Sequence, residues 1–288
     1  MVRGVERPRG FLLAMLALVW CAIGTAAPGG AAEEQTIRVA GSTTVLPIVS
    51  KAADRFKVSH RGAAVSVNAG GSGVGVNDVG NGRAQIGMLS RELTREERGQ
   101  FKNAGLKTHA VGRDAVACVV SSEVYSAGVK TLTREQIRDI YLGKIGNWKD
   151  VGGPDRRIVV IDKETHRGTR HVFMQYVFGD EQARAPGARL VTGSNNEEQT
   201  KVAQSDAAIG MLSVAWINPD VVGVGIREGG KVIQPTLESV RDGSFPISRN
   251  LNLVTAGEPR GIVKEFIDFI LGPEGQKIVE ESGYVAVR

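Results

Sequence analysis

Glycines and small hydroxyl side chains carry the chemistry legible in this chain. Ala69-Gly70-Gly71-Ser72-Gly73-Val74-Gly75 follows the alternating segment Val65-Ser66-Val67-Asn68, which predicts a strand. It runs into Val74 to Val79, which predicts a short helix. Glycines around a serine let the backbone approach a ligand closely, and N–H groups at a helix start point outward at an anion. Similar arrangements occur at Gly41-Ser42-Thr43-Thr44 and at Arg167-Gly168-Thr169, each after a β-branched run and before an amphipathic segment. Any one such serine or threonine is an ordinary helix N-cap. Three such turns, one of them beside Arg167 and Arg170, predict an oxyanion held by helix N-termini and hydroxyls.

Catalytic motifs do not fit. Gly71, Gly73 and Gly75 are spaced G-x-G-x-G without the further glycine of a dinucleotide fingerprint. Ser72 is followed two positions on by Val74, not by the second glycine of a nucleophile elbow. The glycine-rich loop ending in Gly-Lys-Ser or Gly-Lys-Thr is absent. His166 and His171 are wrongly spaced for a shared helical face, and neither has an acidic or cysteine partner at metal spacing. A secreted phosphate-ester hydrolase would need a nucleophile–base pair or metal ligands. The expectation is therefore a binding protein, not an enzyme, with no metal and no cofactor.

The elements that must position these turns follow from hydrophobic periodicity. Ile37 to Ala40 predicts a strand, and Val45, Val49, Ala52 and Phe56 recur at helical spacing over Thr44 to Lys57. Strands Ala64 to Asn68 and Ala84 to Leu89 follow, giving a βαβαβ order and a parallel sheet with its turns gathered at the strand C-termini. Thr94-Arg95-Glu96-Glu97 and Thr133-Arg134-Glu135-Gln136 match capping boxes. Further strands are predicted at Val111 to Val120, Arg157 to Asp162, Ala207 to Leu212 and Val221 to Ile226. Further helices are predicted at Thr169 to Phe178, Gly261 to Leu271 and Glu274 to Glu281. The segment Ala84 to Ser90 is echoed by Ala207 to Ser213 (AQIGMLS and AAIGMLS), which suggests two similar lobes sharing a hinge. The expected division is lobe 1 over residues 33–113 and 220–288, and lobe 2 over 114–219.

Arg3, Arg7 and Arg9, an apolar run from Phe11 to Ile23 and a small-residue zone to Ala32 form the three-part pattern of a signal peptide over residues 1–32. Cleavage near Ala32 places the protein in the periplasm or outside the cell. Cys21 lacks the preceding small residue that lipid attachment favours. Without residues 1–32 the formal charge falls from +5 to +3, with lysine and arginine scattered rather than massed. That argues against a nucleic-acid surface and agrees with a small anionic ligand. Only Cys118 remains after cleavage, so no intramolecular disulfide can form.

With these motifs on the page, the chain resembles the PstS-type phosphate-binding proteins, substrate receptors of phosphate ABC importers. The resemblance rests on Gly41-Ser42-Thr43-Thr44, Gly71-Ser72-Gly73, Ile86 to Arg91, Arg167-Gly168-Thr169-Arg170, Phe245 to Arg249 and, most specifically, Ile140 to Trp148. It covers nearly the whole mature chain. It implies an α/β, two-lobed periplasmic-binding-protein fold of type II, each lobe a mostly parallel sheet flanked by helices. It also implies inorganic phosphate as ligand, the membrane permease of an ABC importer as partner, and a monomer. The family's ligand contacts fall on Thr43, Thr44, Ser72, Ser90, Lys163, Arg167, Gly168 and Thr169. This chain departs from the family pattern in three places. Better-known receptors have a carboxylate at the position of Ser90, or an aspartate at Gln85; they also have arginine at Lys163 and serine at Arg167. The missing carboxylate weakens discrimination against sulfate, so sulfate, molybdate or an organic phosphate stands as the alternative ligand. Tyr141 to Trp148 is expected to be a packed corner rather than a ligand contact.

Overall fold

The computed structural model describes residues 35–287. The signal peptide expected over residues 1–32, with Cys21 and the cut near Ala32, lies outside the described residues. Among the described residues, no helix is long and apolar enough to cross a membrane.

The chain begins β1 (Gln35–Gly41), α1 (Leu46–Ser59), β2 (Ala63–Ala69), α2 (Ser72–Gly80) and β3 (Ile86–Leu89). β1 pairs in parallel with β2 on one side and β3 on the other. This is the βαβαβ order that the periodicity predicts. α1 buries Ile48, Val49, Ala52 and Phe56 as one stripe, and Pro47 sits in its first turn, where its missing N–H costs no helical bond. At the end of β1, Gly41 has φ of +134°, and a Cβ there would lie 2.4 Å from the Met88 carbonyl oxygen. Only glycine lets the chain leave the strand so close to its neighbour. Next comes α3 (Arg95–Gln100), whose start is a complete Thr94–Glu97 capping box, as expected.

β4 (Leu106–Ser121) is longer than the expected strand and runs through both halves of the molecule. After it come α4 (Ser122–Ser126), β5 (Thr131–Thr133) and α5 (Arg134–Tyr141). The pattern of the first half then repeats as β6 (Val159–Lys163), α6 (Gly168–Phe178), β7 (Ala188–Thr192), α7 (Asn195–Ala203) and β8 (Ala208–Ser213). β6 is parallel to both β7 and β8. The echoed segments are thus equivalent strands, β3 in one half and β8 in the other. β9 (Val221–Gly223) pairs with β4, and β10 (Gly225–Glu228) and β11 (Lys231–Ile233) join β5 in a small second sheet. The chain closes with α8 (Leu237–Arg241), β12 (Ser248–Ala256), α9 (Gly261–Leu271) and α10 (Pro273–Glu281).

The main sheet has the order β2-β1-β3-β12-β4-β8-β6-β7. Its middle is antiparallel: β12 runs against β3 and against the first part of β4, and the last part of β4 runs against β8. Two parallel blocks therefore flank an antiparallel crossing. Among the described residues the buried apolar side chains form three clusters: one holds Ile37, Val39, Phe56, Ile86 and Phe266, a second Val116 to Val120, Trp148, Phe173 and Ile209, and a smaller third Ala40, Val76, Leu89 and Phe101. Val221, Val224, Ile226, Phe245 and Ile247 pack in the second core. The stretch 221–247, expected in lobe 1, thus shares a core with Val116 to Val120, Trp148 and Ile209. Its apolar side chains meet the late part of β4, which sequence periodicity could not indicate. Tyr141 and Trp148 are fully buried, and the Trp148 Nε1–H donates to the Ala207 carbonyl at 2.9 Å, so the 141–148 corner is packing.

Candidate functional site

Four strand-to-helix turns converge between the two parallel blocks. β1 delivers Ser42 to Thr44, β2 delivers Gly71 and Ser72, β6 delivers Lys163 to Thr169, and β7 delivers Ser194 and Asn195. The last turn was not expected; it is the second half's equivalent of Gly71-Ser72. All of the residues singled out from the sequence, Thr43, Thr44, Ser72, Ser90, Lys163, Arg167, Gly168 and Thr169, line one cavity, joined by Ser42, Gly71, Ser194 and Asn195. The cavity offers about 10 Å³ to the centre of a water-sized sphere. That is about the room of one water molecule, so a larger guest needs the side chains around it to give way.

The hydroxyls that line it are loosely paired. Thr44 Oγ1 and Thr169 Oγ1 are 3.5 Å apart across the two halves, and Ser72 Oγ and Ser90 Oγ are 3.4 Å apart. The Asn195 amide donates to Thr44 Oγ1 at 2.9 Å, and the Ser90 N–H donates to Ser72 Oγ at 3.1 Å. α2 and α6 both begin at the cavity, so their free N–H groups add donors of fixed direction. Gly168 is required by space: a Cβ there would lie 2.3 Å from Ser72 Oγ and 2.6 Å from Ser90 Oγ. Two further bonds tie the halves at this edge, from the Gly73 N–H to the His166 carbonyl at 3.1 Å and between His166 Nε2 and the Gly70 carbonyl at 3.0 Å.

Every cation at the cavity carries a carboxylate partner. Lys163, with a side chain 1 % exposed, is paired with the fully buried Glu198 and also donates to the Ser194 carbonyl at 3.3 Å. Burial pushes the Lys163 ammonium pKa down, against the pull of Glu198, and pushes the Glu198 carboxyl pKa up, against the pull of Lys163. Arg167 faces the cavity, with its Nε donating to Glu164 at 2.8 Å. Its aliphatic stem packs on Gly71, where a Cβ would come within 2.8 Å of Cδ.

Arg249 is the functional side chain that sequence reasoning missed in this role. It lies on β12 at the crossing and is held to Asp114 of β4 at 3.0 and 2.7 Å. It donates to Thr169 Oγ1 at 3.0 Å and to the Ser90 carbonyl at 3.1 Å, and lies 3.5 Å from Thr44 Oγ1. It therefore braces hydroxyls of both halves from behind. Glu198, on α7, was missed as well, because its helix reads as a polar run. A larger and more open groove, lined among others by Arg91, His171, Tyr176 and Arg249, shares no lining residue with the cavity. Its walls are largely apolar, unlike a surface built for a small oxyanion.

The comparisons agree with this geometry. Residues 26–274 match a family model described as a PBP superfamily domain. The phosphate-binding protein PstS of Bacillus subtilis (strain 168) is 31 % identical over 253 residues, covering 88 % of this chain and 81 % of that protein. A Clostridium perfringens phosphate ABC transporter substrate-binding protein, solved with bound phosphate, superposes with a TM-score of 0.80 at 32 % identity, covering 88 % of this chain and all of that one. An ABC-type phosphate transport receptor from Vibrio cholerae gives a TM-score of 0.70 at 31 % identity over 86 % of this chain and 99 % of that one. The chain belongs to the PBP superfamily and, within it, to the PstS phosphate-binding proteins.

Proposed function

We propose that this protein is an extracytoplasmic receptor that captures inorganic phosphate between two lobes and presents it to the permease of an ABC importer. The observation that carries the reading is the cavity itself, in which hydroxyls, an amide and helix N-termini from both halves converge on one small enclosed space. A tetrahedral oxyanion displaces the long hydroxyl–hydroxyl contacts and receives a donor from each side. We place the ligand contacts at Thr43, Thr44, Ser72, Ser90, Lys163, Arg167, Gly168 and Thr169, with Asn195 added and Arg249 bracing Thr169. We place lobe 1 over residues 35–114 and 248–287 and lobe 2 over 115–247, since the first holds the clusters around Phe56 and Phe101 and the second all but Val285 of the cluster around Trp148. The receptor acts without catalysis, as its relatives are binding proteins, and as a monomer.

Sulfate is the second reading, and one observation favours it: no carboxylate lines the cavity, and its hydroxyls can donate as readily as accept, so no acceptor-only group there selects the proton of hydrogen phosphate. Calorimetric titration of phosphate, sulfate and molybdate into the purified mature protein tests both. Saturable phosphate binding at one site per chain supports the reading, and binding of sulfate or molybdate without phosphate overturns it.

A further inference from the structure

Thr44 is a cavity residue at which groups from both halves meet. Its Oγ1 accepts the Asn195 amide at 2.9 Å and lies 3.5 Å from both Thr169 Oγ1 and the Arg249 guanidinium. Because Asn195 occupies a lone pair of this hydroxyl, the Thr44 proton is left to point at a ligand. Such a donor is effective only if the backbone that carries it stays in place to a fraction of an ångström.

The turn that carries Thr44 has few ties of its own. The Ser42 N–H donates to the Met88 carbonyl at 2.8 Å, which fixes the first residue of the turn to the neighbouring strand. The Thr44 N–H is spent inside the turn, on Ser42 Oγ at 3.1 Å. Among the described residues, the Thr44 carbonyl takes its hydrogen bond from outside the turn, from Tyr284 Oη at 2.7 Å. Thr44 and Tyr284 are both buried, so a carbonyl that lost this donor would go unpaired.

Tyr284 follows α10 near the end of the chain. Its ring packs in the cluster around Phe56, while the next residue, Val285, packs in the cluster around Trp148. Val285 also exchanges two backbone hydrogen bonds with Arg113 of β4, at 2.7 and 3.0 Å, next to the Asp114 that holds Arg249. These two residues are thus fastened where the halves cross, and the hydroxyl of one of them reaches the cavity turn. Burial pushes the Tyr284 hydroxyl pKa well up, so it remains a donor.

We infer that Tyr284 is a positioning residue for phosphate: its hydroxyl holds the Thr44 peptide so that the Thr44 side chain meets the ligand. The inference rests on the phosphate reading and deepens it. Tyr284 does not itself line the cavity, so its effect runs through Thr44.

The test is calorimetric titration of phosphate into Tyr284→Phe, which keeps the ring and removes the hydroxyl. Affinity is expected to fall about threefold to tenfold, the worth of one hydrogen bond. The titration compares bound with free folded protein, so a loss of fold stability common to both states does not enter it. Thr44→Val removes the hydroxyl that Tyr284 positions, and adding Tyr284→Phe to it should weaken binding no further. By reciprocity, phosphate should slow hydrogen exchange of the wild-type Tyr284 hydroxyl by a similar factor, a measurement that needs no variant to fold. Unchanged affinity in Tyr284→Phe, an equal loss in the Thr44→Val background, or hydroxyl exchange indifferent to phosphate overturns the inference. Absence of any phosphate binding by the wild type overturns instead the reading on which it rests.

Discussion

Gly168→Ala separates closure of the cleft from stability of the fold. Gly168 opens α6 in one half, and the atoms that its Cβ would strike, Ser72 Oγ at 2.3 Å and Ser90 Oγ at 2.6 Å, belong to the other. Ordinary contact requires the halves to part by about 1 Å, or Ser72 to rotate and give up its bond from the Ser90 N–H. Parting strains the bonds from Gly73 to His166, from His166 to Gly70 and from Asn195 to Thr44. At ~0.5–1.5 kcal/mol for each bond, the closed state loses ~2–4 kcal/mol. Phosphate affinity should then fall by roughly thirtyfold to a thousandfold. The local helix effect has the opposite sign: alanine is favoured over glycine by ~0.5–1 kcal/mol, so the ligand-free variant should melt no earlier than wild type. Calorimetry with phosphate and thermal unfolding without it read the two quantities separately. Wild-type affinity in the alanine variant would refute the idea that the halves close on each other at this point, and a large loss of ligand-free stability would refute the claim that the clash arises only on closure.

Other expectations follow from the charge pairs and caps. Arg167→Ala removes a donor at the cavity and leaves Glu164 unopposed nearby, so titration should show phosphate binding weakened by ~1.5–3 kcal/mol, whereas unchanged affinity would place the guanidinium outside the site. Ser90→Asp supplies an acceptor for the phosphate proton that sulfate cannot satisfy, so competition titrations should show a raised preference for phosphate over sulfate. Burial alone would raise the Glu97 pKa, but the hydrogen bonds and charge of Arg91 and the Thr94 N–H outweigh it and hold the carboxyl below its usual 4.5. Its stabilisation is therefore present above that value and lost as pH falls through the lower folded pKa. Glu97→Gln should cost ~1.5–3 kcal/mol in urea unfolding at neutral pH, with the gap to wild type closing in acid.

The glycine turns were legible because each combines two local signals, an alternating strand and an apolar helical stripe, around residues with special backbone freedom. The fourth turn carried a signal too: Ser194 caps α7 and accepts the Glu197 N–H at 3.1 Å, a serine with glutamate three positions on. The polar run Asn195 to Lys201 hides it, since Asn195 and Glu198 are buried for the cavity's sake rather than exposed. β12 escaped notice for a similar reason. Arg249 and Asn252 are buried polar residues that break the apolar pattern of Ser248–Ala256, and the Arg249 partner Asp114 is 135 residues away. Local periodicity records which face is apolar. It does not record that a buried charge has a distant mate, nor which core the stretch 221–247 joins. The departures at Ser90, Lys163 and Arg167 could be seen in the sequence, but their consequence depends on partners such as Glu198 and Glu164 that only the fold brings into contact.

The central claim is that the small cavity between the halves is the phosphate site. A crystal structure of the mature protein grown with phosphate tests it most directly. The account predicts one phosphate enclosed by Thr44, Ser72, Ser90, Lys163 and Thr169, with oxygens accepting from the starts of α2 and α6. A phosphate bound instead in the open groove beside Arg91 and His171, with the cavity hydroxyls still paired to one another, would contradict it.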